Sequence, residues 1–188
     1  SVAPRRLKAP DATTTEGSRV YDKTHALMQR GRDFLGTEHA ILCGAMSWVS
    51  ERNLVSAISN AGGFGVIACG AMTPDLLDAE IAATKALTGK PFGVNLITMH
   101  PLLFDLIAVC AKHQVSHVVL AGGIPPKGSV EAIKAFGAKV LVFAPTLALA
   151  TRLLRNGADA LVIEGSEAGG HMFIDRLVQA FRRYRCID

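Results

Sequence analysis

"GADALVIEGSEAGGH", residues 157–171, opens on a glycine and closes on a histidine. Between them "ALVI" at 160–163 has the length and content of a buried strand. The residues after this strand, Glu164-Gly165-Ser166-Glu167-Ala168-Gly169-Gly170-His171, are mostly small and are interspersed with titratable ones. A strand that ends in glycines brings backbone N–H groups close to whatever approaches it.

Working outward from that strand, similar apolar runs recur upstream. They are "AILC" at 40–43, "GVIA" at 65–68, "FGVNL" at 92–96, "HVVLA" at 117–121 and "KVLVFA" at 139–144. With 160–163 they make six, and the segments between them read as helices. Ser50 is a candidate N-cap for the first. Thr73 and Pro74 form a cap and first-turn pair for the next, and "FGA" and "NGA" are glycine stops for two later ones. Strand and helix alternating at a steady spacing give a chain of βα units with parallel strands. An open doubly wound sheet and a (β/α)8 barrel both fit.

Composition agrees. The 188 residues are 49% hydrophobic and 19% charged, with aromatics at 6%, which suits aliphatic parallel strands under helices. The basic excess sits at the two ends, whereas residues 40–171 carry nine cationic and nine anionic side chains. With one Trp and two Tyr there is no basic, stacking face, so nucleic acid is not expected as a partner. No apolar run reaches the length of a membrane span, and the polar N-terminus lacks a secretory signal, so no membrane partner is expected. Cys43, Cys69, Cys110 and Cys186 are widely spaced and contain no CxxC pair. They read as small buried residues in a reducing, cytoplasmic setting, and no metal site is expected.

In either architecture ligands gather at the C-terminal ends of the strands. Those ends carry Gly44-Ala45-Met46-Ser47, Gly70-Ala71-Met72, Asn95, Ala121-Gly122-Gly123-Ile124-Pro125, Pro145 and the 164–171 run. So many small residues on one rim point to a flat, hydrogen-bonding ligand. No GxGxxG occurs after the first strand and no phosphate-binding GxxxxGK[ST] occurs anywhere, so the usual dinucleotide and P-loop readings lose support. His100, in the loop after the third strand, stands on the rim side. His113 and His117 stand at the opposite end of a strand, and "LAGGIPP" at 120–126 is a stiff loop that shapes the ligand side.

The stretches "CGAMSWVS", "NAGGFGVIACGAMTPDLLDAEI", "PFGVNLI", "GADALVIEG" and "EGSEAGGH" resemble the nitronate monooxygenase family, formerly 2-nitropropane dioxygenases. They also resemble its relative, the flavin-dependent enoyl-acyl carrier protein reductase II. The likeness covers about residues 38–171. It implies an incomplete (β/α)8 TIM-type barrel binding FMN, with about six βα units present. It places Ala45 and Met46 against the flavin ring, Asn95 in hydrogen bond to the cofactor, and Glu164, Gly169 and Gly170 along it. His171 becomes the catalytic base or acid. A nitroalkane α-proton suits an imidazole that titrates near neutrality.

The implied activity is oxidation of nitronates or nitroalkanes with O2. Family members often carry glutamine where this chain has Glu164, which keeps NADH-dependent reduction of an enoyl thioester open as the alternative. A complete barrel of this kind takes about 250 residues and eight strands, with its phosphate site after strands seven and eight. The chain therefore reads as C-terminally truncated, which gives weak FMN binding, a homodimer through the open side, or a non-catalytic fragment. The expected domains are an N-terminal, partly flexible arm at 1–38, a partial barrel at 39–171, and a basic amphipathic helix at 172–188 carrying Ile174, Leu177, Val178 and Phe181.

Overall fold

The computed structural model describes residues 15–163. It contains, in chain order, α1 (Thr15–Leu35), α2 (Arg52–Asn60), β1 (Gly65–Ala68), α3 (Pro74–Leu87), β2 (Phe92–Ile97) and α4 (Leu103–Lys112). Then come β3 (His117–Ala121), α5 (Ser129–Ala135), β4 (Lys139–Phe143), α6 (Leu147–Arg155) and β5 (Ala160–Val162). All four strand pairings are parallel and follow chain order, β1-β2-β3-β4-β5. A doubly wound sheet reverses its order at a switch point; this one does not, and that settles the choice in favour of barrel-type winding.

The side chains sort by strand alternation into two layers. Ile67, Val94, Leu96, Val118, Leu120 and Val140 face outward and share one core with Leu77 and Ile81 of α3, Leu106 of α4, Ile133 of α5 and Leu153 of α6. Val66, Val119 and Leu141 face the other way, with Phe64 just before β1, and form a second cluster in which the helical contribution is Phe34 and Leu35 of α1. Helices α3 to α6 thus cover one face, as crossovers of a single hand require. The strands are buried on both sides, which is why they read as unbroken apolar runs.

Two sequence expectations are corrected. The run at 40–43 does not form a strand of its own. It pairs at a single parallel bridge, Leu42 with Phe64, held by Cys43 N–H to the Phe64 carbonyl (2.9 Å) and Phe64 N–H to the Ile41 carbonyl (2.8 Å). Five strands and one bridge therefore stand for the six runs. Ser50 does not cap α2 either. Glu51 does, its carboxylate accepting from the N–H groups of Asn53 and Leu54 at 3.0 and 3.2 Å. The Thr73 cap and Pro74 start of α3 are present, and Gly137 and Gly157 end α5 and α6 with φ of 84° and 95°. The amphipathic run at 172–188 lies outside the described residues.

Within the segment read as an arm, residues 15–35 are a helix, and its C-terminal end closes the sheet from below. The Phe34 carbonyl accepts from His117 Nε2 at 2.9 Å and from Lys139 Nζ. Those two residues start β3 and β4, so the contact lies at the N-terminal ends of the strands. The imidazole of His117 stands edge-on between Phe34 (5.3 Å) and Phe64 (4.8 Å), and the Lys139 ammonium lies 4.6 Å from the Phe34 ring centre. A cation at the carbonyl end of α1 also complements the helix dipole. Among the described residues no helix is long and apolar enough to cross a membrane.

Burial holds the His117 pKa below the ordinary imidazole value; its bond to Phe34 opposes the shift and Lys139 adds to it. The unfolded chain therefore takes up a proton first as pH falls, so the stability contributed by neutral His117 is complete above about pH 6.5 and lost below it. His117→Gln is expected to lower the urea midpoint at pH 8, by a margin that shrinks as pH falls through about 6.5. A margin independent of pH would refute the clamp.

Candidate functional site

The C-terminal ends of the strands surround a cavity of about 690 Å³ on the concave face. Its floor is apolar, built from the inward-facing Val66, Val119, Phe143 and Val162. Its rim is built from Gly44, Ala45 and Ser47, from Gly70, from Ile97 and Met99, and from the Gly122-Gly123-Ile124 turn. The size is that of a pocket for a cofactor or drug-sized ligand.

Local chemistry explains each part of the rim. Ser50 Oγ accepts from Met46 N–H at 2.9 Å and donates to the Gly44 carbonyl at 3.2 Å, which fixes the loop carrying Ala45. Gly122 and Gly123 adopt φ of 90° and 131°, a region that favours glycine. A Cβ on Gly122 would stand 3.2 Å from Ile97 Cγ2, and one on Gly123 would stand 3.7 Å from Thr98 Oγ1. The buried Thr98 hydroxyl has no hydrogen-bond partner among the described residues. Asn95 is 8% exposed, and its Nδ2 donates to the Val119 carbonyl at 3.2 Å, so its amide plane is fixed at the cavity wall.

No lining side chain among the described residues carries a charge. The polar groups are the Ser47 hydroxyl, the Asn95 amide and the backbone of the glycines. An apolar floor, an amide at its edge and a glycine cradle fit a flat heteroaromatic ring such as that of FMN. Ala45 and Asn95 both line this cavity. Met46 is half-exposed and does not line the cavity. Glu164, Gly169, Gly170 and His171 lie outside the described residues. Met99, Phe143 and Val162 line the cavity without being singled out in the sequence, whereas Ile124 belongs to the rim run at 121–125; strand alternation carries the signal for Phe143 and Val162 alone.

His100 does not line the cavity; its Nδ1 accepts from Leu102 N–H at 3.1 Å, ahead of α4. Cys69 and Cys110 are fully buried, and burial pushes both thiols up to about 12, so they stay protonated. Among the described residues no group of three His, Cys, Asp or Glu is placed to hold a metal. Truncating Asn95 removes a buried donor from the Val119 carbonyl. Asn95→Ala is expected to cost about 1–3 kcal/mol in urea denaturation, whereas an unchanged midpoint would mean the bond contributes nothing.

A sequence model described as nitronate monooxygenase matches residues 29–117 and 103–179. The chain is 36% identical over 140 residues to (3aS,4S,5R,7aS)-5-hydroxy-7a-methyl-1-oxo-octahydro-1H-indene-4-carboxyl-CoA dehydrogenase of Mycobacterium tuberculosis, covering 74% of this chain and 39% of that protein. It is 31% identical over 175 residues to the nitronate monooxygenase of Pseudomonas aeruginosa, covering 73% of this chain and 50% of that one. Among solved structures, a mutant of FabK from Thermotoga maritima superposes with a TM-score of 0.78 at 39% identity, over 84% of this chain and 54% of that chain. The chain spans about half the length, or less, of these relatives. Matched over most of its length by that family's model, the chain belongs to the nitronate monooxygenase family.

Proposed function

We propose that this chain supplies the flavin-ring site of an FMN-dependent oxidoreductase that oxidises alkyl nitronates or nitroalkanes with O2. The observation that carries the reading is the uncharged cavity at the strand ends, with Ala45 and Asn95 at its wall and Gly122-Gly123 as its cradle. When bound, FMN supplies the redox chemistry, exchanging electrons between substrate and O2. The residues of the chain bind, orient and move a proton. Ala45, having little side chain, lets the ring lie against the loop that Ser50 braces. The Asn95 amide hydrogen-bonds at the ring edge. Glu164, Gly169 and Gly170 come after β5 in sequence, and the family resemblance assigns them to the flavin. An imidazole nitrogen of His171 takes the α-proton of the nitroalkane, which leaves a nitronate ready for oxidation.

A second reading is NADH-dependent reduction of an enoyl thioester at the same site. It is favoured by Glu164 where nitronate monooxygenases often carry glutamine, and by the 36% identity to a relative named as a CoA dehydrogenase.

The test is a flavin-fluorescence titration of the purified chain with FMN and riboflavin, followed by O2 uptake with a nitronate. Saturable quenching by both flavins, to a similar extent, is expected, because the described lining offers no cation for the phosphate. His171→Ala is expected to keep flavin binding and lose turnover of the neutral nitroalkane more than that of the preformed nitronate. No saturation up to about 1 mM, weaker than about −4 kcal/mol, sinks the proposal. Flavin reduction by NADH with enoyl-thioester turnover and no nitronate turnover replaces it by the second reading.

A further inference from the structure

The proposed chemistry makes no use of Glu80, a carboxylate only 6% exposed in the middle of α3, alongside the buried Leu77, Ile81 and Thr84. A carboxylate taken out of water needs hydrogen bonds and a counter-charge. Arg52 supplies both. Glu80 Oε1 accepts from the Arg52 backbone N–H, and Oε2 accepts from Arg52 Nε at 3.0 Å and from Nη2. Such a pair contributes little to stability as such, since apolar residues of similar volume often do as well. Its effect lies in what it holds.

Arg52 is the first residue of α2, directly after the loop that carries Ala45 and Ser47 to the cavity wall. One of the bonds goes to the main chain, so the carboxylate fixes the path of the backbone there and not only a side chain. Two residues upstream, Ser50 is 2% exposed. Its carbonyl accepts from Ala68 N–H at the end of β1 (3.0 Å), its N–H donates to the Met46 carbonyl (2.8 Å), and its hydroxyl holds Gly44 and Met46. The loop is thus tied to β1 through Ser50 and to α3 through Arg52. Between these ties and Ala45 stands Trp48, with φ of 64°, a left-handed conformation strained for a bulky residue. Strain of this kind persists only where the surroundings over-determine it. Trp48 is 80% exposed and gains little from packing, so the ties at Ser50 and Arg52 supply the constraint. Ser47 Oγ stands 3.2 Å from the place of a Cβ on Gly70, so a shift of this loop changes the cavity rim directly.

We propose that Glu80 is a positioning residue for the cavity. Through Arg52 it holds the loop at 44–51 in the conformation that presents Ala45 and Ser47 to the bound ring. Glu80 itself does not line the cavity. The inference deepens the proposed function and rests on it in taking this cavity as the flavin site. The brace is read without flavin, at Trp48, the single tryptophan of the chain, so its failure is distinguishable from failure of the flavin site.

The experiment compares the 188-residue chain with Glu80→Leu combined with Arg52→Met, which replaces the pair by apolar residues and leaves no unpaired charge. With the circular dichroism of the parent retained, Trp48 fluorescence anisotropy in the flavin-free chain is expected to fall. The riboflavin dissociation constant is expected to rise about tenfold, the equivalent of one hydrogen bond to a charged group. Glu80→Gln keeps an oxygen for the Arg52 N–H and is expected to retain the parent's anisotropy. Asp78→Asn, on the same helix but paired with Lys112 and His113 at the end of α4, is expected to leave both readings unchanged. In the parent, the Arg52 amide is expected to exchange with deuterium at least about tenfold more slowly than the first-turn amide of Asp75 in α3, a comparison that needs no variant. Parent-like anisotropy in the folded double variant overturns the proposal, and so does an equal fall in Asp78→Asn. If the double variant does not fold, an Arg52 amide that exchanges as fast as that of Asp75 overturns it.

Discussion

Parallel pairing in strict chain order is the constraint from which the remaining architecture follows. Each strand must return to the same side of its predecessor, and each return passes through a helix of the same hand. The helices therefore stack on one face, and the sheet keeps a second face that no crossover helix covers. That face needs its own cover at one end and leaves a cavity at the other. The split into two apolar clusters, one shared with α3 to α6 and one with the end of α1, is the direct trace of this geometry.

The two ends of the concave face are built from opposite chemistry. At the N-terminal end His117 and Lys139 converge on the Phe34 carbonyl, and aromatic edges fill the space around them. At the C-terminal end the residues are small, a buried hydroxyl is left without a partner among the described residues, and Trp48 holds a strained conformation. Small residues leave room for a ligand at that end, whereas side chains fill the other. Stability and function thus occupy different ends of the same strands, and His117, for all that it is a buried histidine, belongs to the first.

The strand positions are legible in the sequence because burial on both faces leaves unbroken apolar runs, and β2 to β5 lie within a residue or two of where those runs put them. The run at 40–43 looks the same in sequence but forms one bridge, because after Cys43 the chain leaves the sheet for the Ser50-braced loop. Ser50 and Glu51 are both competent caps. Tertiary contacts decide between them, with the Ser50 hydroxyl taken by Gly44 and Met46. The position of the rim, with Ala45 and Asn95, is legible from the rule that ligands sit at strand C-termini. The place of Met99 is not, because it depends on its loop meeting the Gly122-Gly123 turn, which no spacing along the chain encodes. The dock of α1 likewise joins residues more than eighty positions apart.

The neutrality of the described lining has a chemical consequence. In a pocket with apolar walls each dipole acts at low effective dielectric, so the Asn95 amide and the backbone N–H groups count for more than they would in water. A fixed charge in the same wall would have to be desolvated without a partner, and would compete with the ring for those dipoles. In the proposed reaction, proton transfer then falls to a group at the edge of such a site. The 164–171 run begins one residue past the last described position, directly after β5, whose Val162 lines the cavity. His171, proposed above as the proton-transfer group, ends that run.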